Sequence, residues 1–204
     1  MLNRMKSKRQ FIATFLWRLM PSILVEPPLA RCKGEPITLV RKTVMEFLNE
    51  WAGRVYGDVL EIGAGSWDYT RSLIEKKCHY VAVDCVKLPN IDVVIDAVRL
   101  SERFGDNYCD FIICMDVLEH LEDPFSVIEE IYQVLKPGGR LLLSTPFNYK
   151  LHHNKEVKDY WRFSEDGLKK ILYKFANIFI KAHGYPAFPY CYTVVAEKPL
   201  AVKK

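Results

Sequence analysis

The sequence has no C-x-x-C pair, no zinc-type spacing of cysteine with histidine, no internal repeat and no Ser/Gly-rich linker. No structural metal site or disulfide framework is therefore expected from its six cysteines, and no metal is assigned. Several of these cysteines lie inside apolar runs, where a thiol behaves as a small hydrophobe, so a reduced, cytoplasmic setting is expected. Excess charge is equally scarce. With 29 Lys+Arg against 25 Asp+Glu the net charge is +4, well short of the basic footprint of a dedicated nucleic-acid binder. No apolar run is long enough to span a bilayer.

The 204 residues are 50% hydrophobic and 26% charged, which suits one globular domain and excludes disordered and fibrous classes. The one uneven stretch is the N-terminus. Residues 1–20 carry Arg4, Lys6, Lys8, Arg9 and Arg18 without an acid, and Phe11, Ile12, Phe15, Leu16, Leu19 and Met20 recur at helical spacing. Such a helix either covers the core or lies on a membrane surface, making residues 1–30 a candidate peripheral contact. Residues 1–54 are read as a helical extension or lid, punctuated by Pro27-Pro28 and Gly34–Pro36, and 55–204 as the main domain. Within the extension Leu39 or Val40, then Val44, Phe47, Leu48 and Trp51, share one helix face.

From residue 57 short apolar strands alternate with helices. Strands are expected at Val59–Ile62, Tyr80–Asp84, Asp92–Ile95, Asp110–Met115 and Arg140–Thr145. Helices are expected at Tyr69–Lys77, after the Asp123-Pro124 start signal, and after Ser164. The second of these carries Leu135 inward and stops at Lys136-Pro137-Gly138-Gly139. Two last strands, Asn177–Ala182 and Cys191–Ala196, have no helix between them and must pair antiparallel. The expectation is an α/β fold: a doubly wound, Rossmann-like, seven-stranded, mostly parallel sheet ending in an antiparallel hairpin.

The sharpest motif is Val59-Leu60-Glu61-Ile62-Gly63-Ala64-Gly65, a buried strand entering a glycine turn before a helix. Twenty-one residues after Gly63 the next strand ends in Asp84, where an acid can grip ribose hydroxyls. The third strand ends in Asp96-Ala97 and the fourth in Met115-Asp116. Strand ends so aligned form the crevice in which open α/β sheets bind ligands, the lesser alternative being that Asp84 and Asp96 merely cap helices or turns. A phosphate-binding G-x-x-x-x-G-K-[ST] loop is absent. The third glycine of a dinucleotide loop is replaced by Asp68, whose charge would repel a pyrophosphate. An adenosine ligand without phosphates fits better.

These residues, with Asp110–Pro124 and Val134–Pro146, resemble the class I S-adenosylmethionine-dependent methyltransferases over about residues 55–197. The resemblance implies S-adenosyl-L-methionine as cofactor. Glu61, Gly63, Ala64 and Gly65 would line its methionine end, Asp84 and Cys85 its ribose, Asp96 and Ala97 its adenine, and Met115 its flank. Trp67 departs from the family, which often has glycine there. The run Pro146-Phe147, His152-His153 and Asp159-Tyr160-Trp161-Arg162-Phe163-Ser164 is similar to a segment of small-molecule and glycan-pathway methyltransferases.

That run would sit over the methyl group. It offers His152 and His153 as bases and Arg162 for an anion on a small-molecule or glycan-linked acceptor, unless its aromatics merely pack the loop. His120 is a further candidate base, whereas His79 and His183 look structural or solvated. Two alternatives remain beside methyl transfer. One is a non-catalytic module that binds a partner or membrane. The other is a nicotinamide-dependent oxidoreductase, which the chain fits poorly because it lacks the third glycine and has no Tyr-x-x-x-Lys pair at a suitable position.

Overall fold

Apolar residues alternate along the central strands, and the alternation sorts them onto two faces. The structure, a computed structural model, describes residues 29–32, 35–152 and 157–201. Its main sheet contains β3 (Asp58–Ile62), β4 (His79–Asp84), β5 (Val93–Val94), β6 (Cys109–Met115), β7 (Leu135–Pro146), β8 (Ala176–Tyr185) and β9 (Phe188–Glu197), in the order β5-β4-β3-β6-β7-β9-β8. The first five of these strands pair in parallel, and β9 runs antiparallel to both β7 and β8. This is the expected doubly wound sheet with its terminal hairpin.

Leu60, Ile62, Ile112, Cys114, Leu141 and Leu143 face one side of the sheet. They meet Leu100 of α3 (Leu100–Phe104), Ile128 and Ile131 of α4 (Pro124–Val134), and Leu168 and Ile171 of α5 (Glu165–Ile171). Val59, Phe111, Ile113, Met115 and Leu142 face the other side. Their partners are Val44, Phe47 and Leu48 of α1 (Leu39–Trp51) and Ile74 of α2 (Tyr69–Ile74). Each such buried side chain contributes about 1.5–3 kcal/mol over leaving it in water.

Helix α1 therefore forms one layer of the fold rather than a separate appendage. Thr38 caps it by accepting from the Arg41 amide at 3.1 Å. The stretch before it differs from the helical extension expected there: β1 (Leu29–Cys32) and β2 (Glu35–Thr38) form a two-stranded antiparallel hairpin. The expected helix over residues 1–20 lies outside the described residues. Among those described, no helix is long and apolar enough to cross a membrane.

The Asp123-Pro124 signal starts α4 as expected, with Asp123 accepting from the amides of Phe125 and Ser126 at 3.1 Å each. The stop signal does not fall where expected. Leu135 is already extended (φ −67°, ψ 136°), and Lys136–Gly139 belong to β7. Backbone bonds from Gly138 to the Lys198 carbonyl (2.8 Å) and from Lys198 to the Gly139 carbonyl (2.9 Å) draw that segment toward the end of β9.

At the amino-terminal edge of the sheet the Lys136 ammonium donates to Asp110 (2.8 Å) and Asp58 (3.0 Å), fastening β7 to β6 and β3. Those hydrogen bonds hold the Asp58 carboxyl below its usual range and raise Lys136. Gly57, at φ +69°, leaves room for this cluster, because a Cβ there would lie 2.1 Å from the Asp110 carboxylate. The opposite edge is left for ligands. Strand order reverses between β3 and β6, and the crevice beyond their carboxyl ends is the topological switch point.

Candidate active site

Two turns leave those strand ends. After β3 the chain passes through Gly63 (φ +67°) and Gly65 (φ +56°). A Cβ at Gly63 would lie 2.4 Å from Cγ2 of Val117, so close packing against the second turn requires glycine. At Gly65 the nearest atom would be 3.9 Å away, and the open side is the cavity. After β6 the chain reaches Asp116, a non-glycine residue in the left-handed region at φ +54°. That conformation is uncommon for aspartate, and its amide is held by the carbonyl (3.1 Å) and hydroxyl (3.0 Å) of Ser144 on β7. The same hydroxyl donates to Oδ1 of Asp116 at 2.6 Å.

The turns enclose a cavity of about 350 Å³. Glu61, Gly63, Ala64, Gly65, Met115, His120 and His152 of the expected site line it. Trp67 and the strand-end Asp116 line it as well, together with Arg41, Glu119 and Tyr149, to which the sequence reading gave no role. Trp67, in place of the family's glycine, stacks on Tyr69 (centroids 5.1 Å apart) beneath the Arg41 guanidinium at 4.0 Å, so α1 supplies part of the wall.

Three carboxyl groups make the cavity acidic. Burial raises Glu61 to about 7 against the hydroxyl bonds donated by Thr70 (2.6 Å) and Tyr80. Burial also raises Asp116, opposed by Ser144 and by the positive Arg41. Glu119 is 0% exposed and is raised well above a normal carboxyl by burial and by the nearby Asp116. Its Oε2 receives a long bond from Thr145 (3.5 Å), and its Oε1 has no hydrogen-bond partner.

Beside Glu119 stand two histidines. The Nε2 atoms of His120 and His152 are 3.1 Å apart, and they lie 3.7 and 4.0 Å from Glu119 Oε1. The segment after β7 brings His152 there. The amides of Tyr160 and Trp161 donate to the Glu119 carbonyl (2.7 and 3.2 Å), and the Trp161 indole donates to the Leu121 carbonyl at 2.8 Å. Asp159, with its side chain 1% exposed, accepts from the His152 amide at 2.8 Å. Burial would raise the Asp159 carboxyl, but Arg162 and His152 hold it down at about 2. Burial, with the neighbouring His120, lowers His152.

The remaining site residues fall elsewhere. The Arg162 guanidinium, expected to hold an acceptor anion, does not line the cavity. It is paired with Asp159 and donates to the carbonyls of Tyr149, Lys150 and Trp161, so its hydrogen bonds tie down the loop. His153 lies outside the described residues. Asp84, Cys85, Asp96 and Ala97 stand at the same sheet edge but outside the cavity wall. Asp84 accepts from the amides of Gly65 and Val86 (2.9 Å each), bracing the glycine turn. Asp96 accepts from the Val98 amide at 3.2 Å and caps the short 3-10 turn Ala97–Arg99; Cys85 is exposed and Ala97 buried. His79, largely exposed, pairs with Asp58 (3.1 Å), and His183 with the Thr193 hydroxyl (2.8 Å).

A family model described as a methyltransferase domain matches residues 36–176. The chain is 26% identical over 126 residues to a ubiquinone biosynthesis O-methyltransferase of Aeromonas salmonicida, covering 54% of this chain and 52% of that protein. It is 25% identical over 152 residues to its counterpart in Vibrio cholerae, covering 68% and 59%. The chain thus spans about half the length of the curated relatives it matches. Among solved structures, the 1,6-didemethyltoxoflavin-N1-methyltransferase of Burkholderia thailandensis aligns with a TM-score of 0.62 at 22% identity, over 79% of each chain. A methyltransferase of Archaeoglobus fulgidus gives 0.62 at 17%, over 78% of this chain and 94% of that one. With the glycine turn, the switch-point cavity and the strand order all in agreement, the chain belongs to the class I S-adenosylmethionine-dependent methyltransferases.

Proposed function

We propose that the protein transfers a methyl group from S-adenosylmethionine to a compact small-molecule acceptor, free or glycan-linked. The observation that carries this reading is the switch-point cavity, where two glycines in the left-handed conformation expose backbone beside Glu61, Asp116 and Glu119. Such a wall suits a ligand that carries an ammonium group and a sulfonium but no phosphate. When bound, S-adenosylmethionine supplies an electrophilic methyl group.

The chain's own residues would do the rest. Gly65 lets the backbone approach the methionine end, and Asp84, which braces Gly65, keeps lone pairs free for ribose hydroxyls. Asp96 and Ala97, beyond the cavity, would meet the adenine. The corner formed by Glu119, His120 and His152 faces the acceptor and eases loss of its proton, while the segment through Trp161 and Arg162 holds that corner and excludes water. His153, from the same run, is a second candidate base beside His152. Relatives named for ubiquinone biosynthesis and for a didemethyltoxoflavin support a small acceptor.

The test is incubation of the full chain with methyl-labelled S-adenosylmethionine and a panel of hydroxylated and aminated ring compounds. Label should move to at least one of them. Transfer to none, together with tight binding of a nicotinamide dinucleotide, would favour the oxidoreductase alternative instead.

A further inference from the structure

The corner at Glu119 has an unusual hydrogen-bond count. His120 Nδ1 faces the Lys158 carbonyl, a pure acceptor. His152 Nδ1 faces Asp159 Oδ2 at 3.2 Å and the Lys150 carbonyl at 3.3 Å, both also acceptors. Each Nδ1 must therefore carry the ring proton, which leaves a lone pair on each Nε2. Those two lone pairs point at one another across 3.1 Å. The third atom of the group is Glu119 Oε1, fully buried, aimed into the same space and without a donor. Three ligand-type atoms within 4.8 Å of one another, on a cavity wall, are placed to share one cation, which would displace the proton that burial favours on Glu119.

We propose that Glu119, His120 and His152 bind a divalent transition-metal ion through Oε1 and the two Nε2 atoms. The spacing fits. Metal–nitrogen bonds of about 2.1 Å set neighbouring ligand atoms about 3.0 Å apart at a right angle and about 3.4 Å apart in a tetrahedron. The observed 3.1 Å between the imidazoles lies between those values. The Glu119 oxygen is somewhat farther, and a small rotation of its carboxylate closes the set. Both imidazoles already have the outer partners that metal-bound histidines use to fix their tautomer, a carbonyl for His120 and the Asp159 carboxylate for His152. Two imidazoles with one carboxylate favour Mn²⁺, Fe²⁺, Co²⁺ or Zn²⁺ over Mg²⁺ or Ca²⁺. Open positions on such an ion face the cavity, where an acceptor hydroxyl would bind and lose its proton more readily. The ligands come from the turn after β6 and the segment after β7, 32 residues apart, which is why no cysteine–histidine spacing betrays the site.

The inference concerns the cavity already described but not the methyl-transfer reading, and its test uses no methyl donor, so either can fail alone. Full-length protein stripped with chelator is titrated with Co²⁺ and followed by its visible absorption and by equilibrium dialysis. We expect one ion per chain with histidine-ligand bands. His152→Ala and Glu119→Gln should each weaken binding at least tenfold, and His79→Ala, a surface control, should leave it unchanged. Circular dichroism checks folding of each variant. His152, on a half-exposed loop, keeps the test decisive if the Glu119 variant does not fold. No bound ion would overturn the proposal. So would equal binding by the folded variants, or an NMR titration showing one proton shared by the two rings while Co²⁺ leaves their signals unmoved.

Discussion

Gly63 and Gly65 share a left-handed backbone but meet different surroundings, so alanine at each should fail in a different way. At Gly63 the φ of +67° costs an alanine about 1–2 kcal/mol. The new Cβ would also lie 2.4 Å from Cγ2 of Val117, and shifting that packed side chain adds about 1–3 kcal/mol. Gly63→Ala should thus lose about 2–5 kcal/mol of stability, a fall in Tm of about 5–15 °C for a domain of this size. At Gly65 only the conformational cost applies, because nothing lies nearer than 3.9 Å. Gly65→Ala should lose about 1–2 kcal/mol, yet its methyl group would occupy space in the cavity. Urea unfolding measures the first quantity, and calorimetric titration with S-adenosylhomocysteine measures the second. The Gly65 variant should remain folded with affinity reduced at least about tenfold, or about 1.4 kcal/mol. If it binds as well as the wild type, or unfolds as readily as Gly63→Ala, the assignment of the glycine turn is wrong.

Three other changes have defined outcomes. Glu61 titrates from about 7 in the fold against 4.5 in the open chain, so the native state holds its proton more tightly. Stability should fall as pH rises from about 4.5 through 7 and level off above, by about 3 kcal/mol from this group. Urea midpoints for Glu61→Gln should lack that share of the slope, and parallel pH profiles for the two proteins would exclude it. Lys136→Met leaves Asp58 and Asp110 facing one another, but the cluster is partly exposed. A loss of about 1 kcal/mol that shrinks in high salt is expected, and a salt-independent loss would point to packing instead. Asp84→Ala removes acceptors from the Gly65 and Val86 amides and a candidate ribose ligand. S-adenosylhomocysteine affinity should drop by about 1.5–3 kcal/mol, and an unchanged Kd would reduce Asp84 to a turn brace.

Local signals carried the fold where one segment suffices to specify its own structure. The 3.6-residue spacing of Val40, Val44, Phe47 and Leu48, the Asp123-Pro124 cap and the apolar runs at 59–62 and 110–115 all appear in the structure. What failed depended on distant partners. Lys136-Pro137-Gly138-Gly139 reads as a helix stop, yet it pairs with a segment 60 residues further on through Lys198. The β1–β2 hairpin hides behind prolines that look like punctuation. In the site, Glu61, Gly63, Ala64, Gly65 and Met115 were legible because one strand–turn unit or strand end delivers each to the cavity. Asp116 and Glu119 were within reach, one at a strand end and the other three residues beyond. Arg41 and Tyr149 were not, because α1 and the segment after β7 meet only in three dimensions. Arg162 is a different case: its partner Asp159 stands only three residues earlier, but a guanidinium in a loop suits an external anion equally well until the pairing itself is seen.

The central claim is that the methyl donor's site lies at the carboxyl ends of β3 and β6. Hydrogen–deuterium exchange of the full chain, with and without S-adenosylhomocysteine, tests it most directly. Slowed exchange is predicted in peptides covering 61–67 and 115–120, with little change around Lys136 and Asp58 at the opposite edge. Protection confined to that opposite edge, or none at saturating ligand, would contradict it.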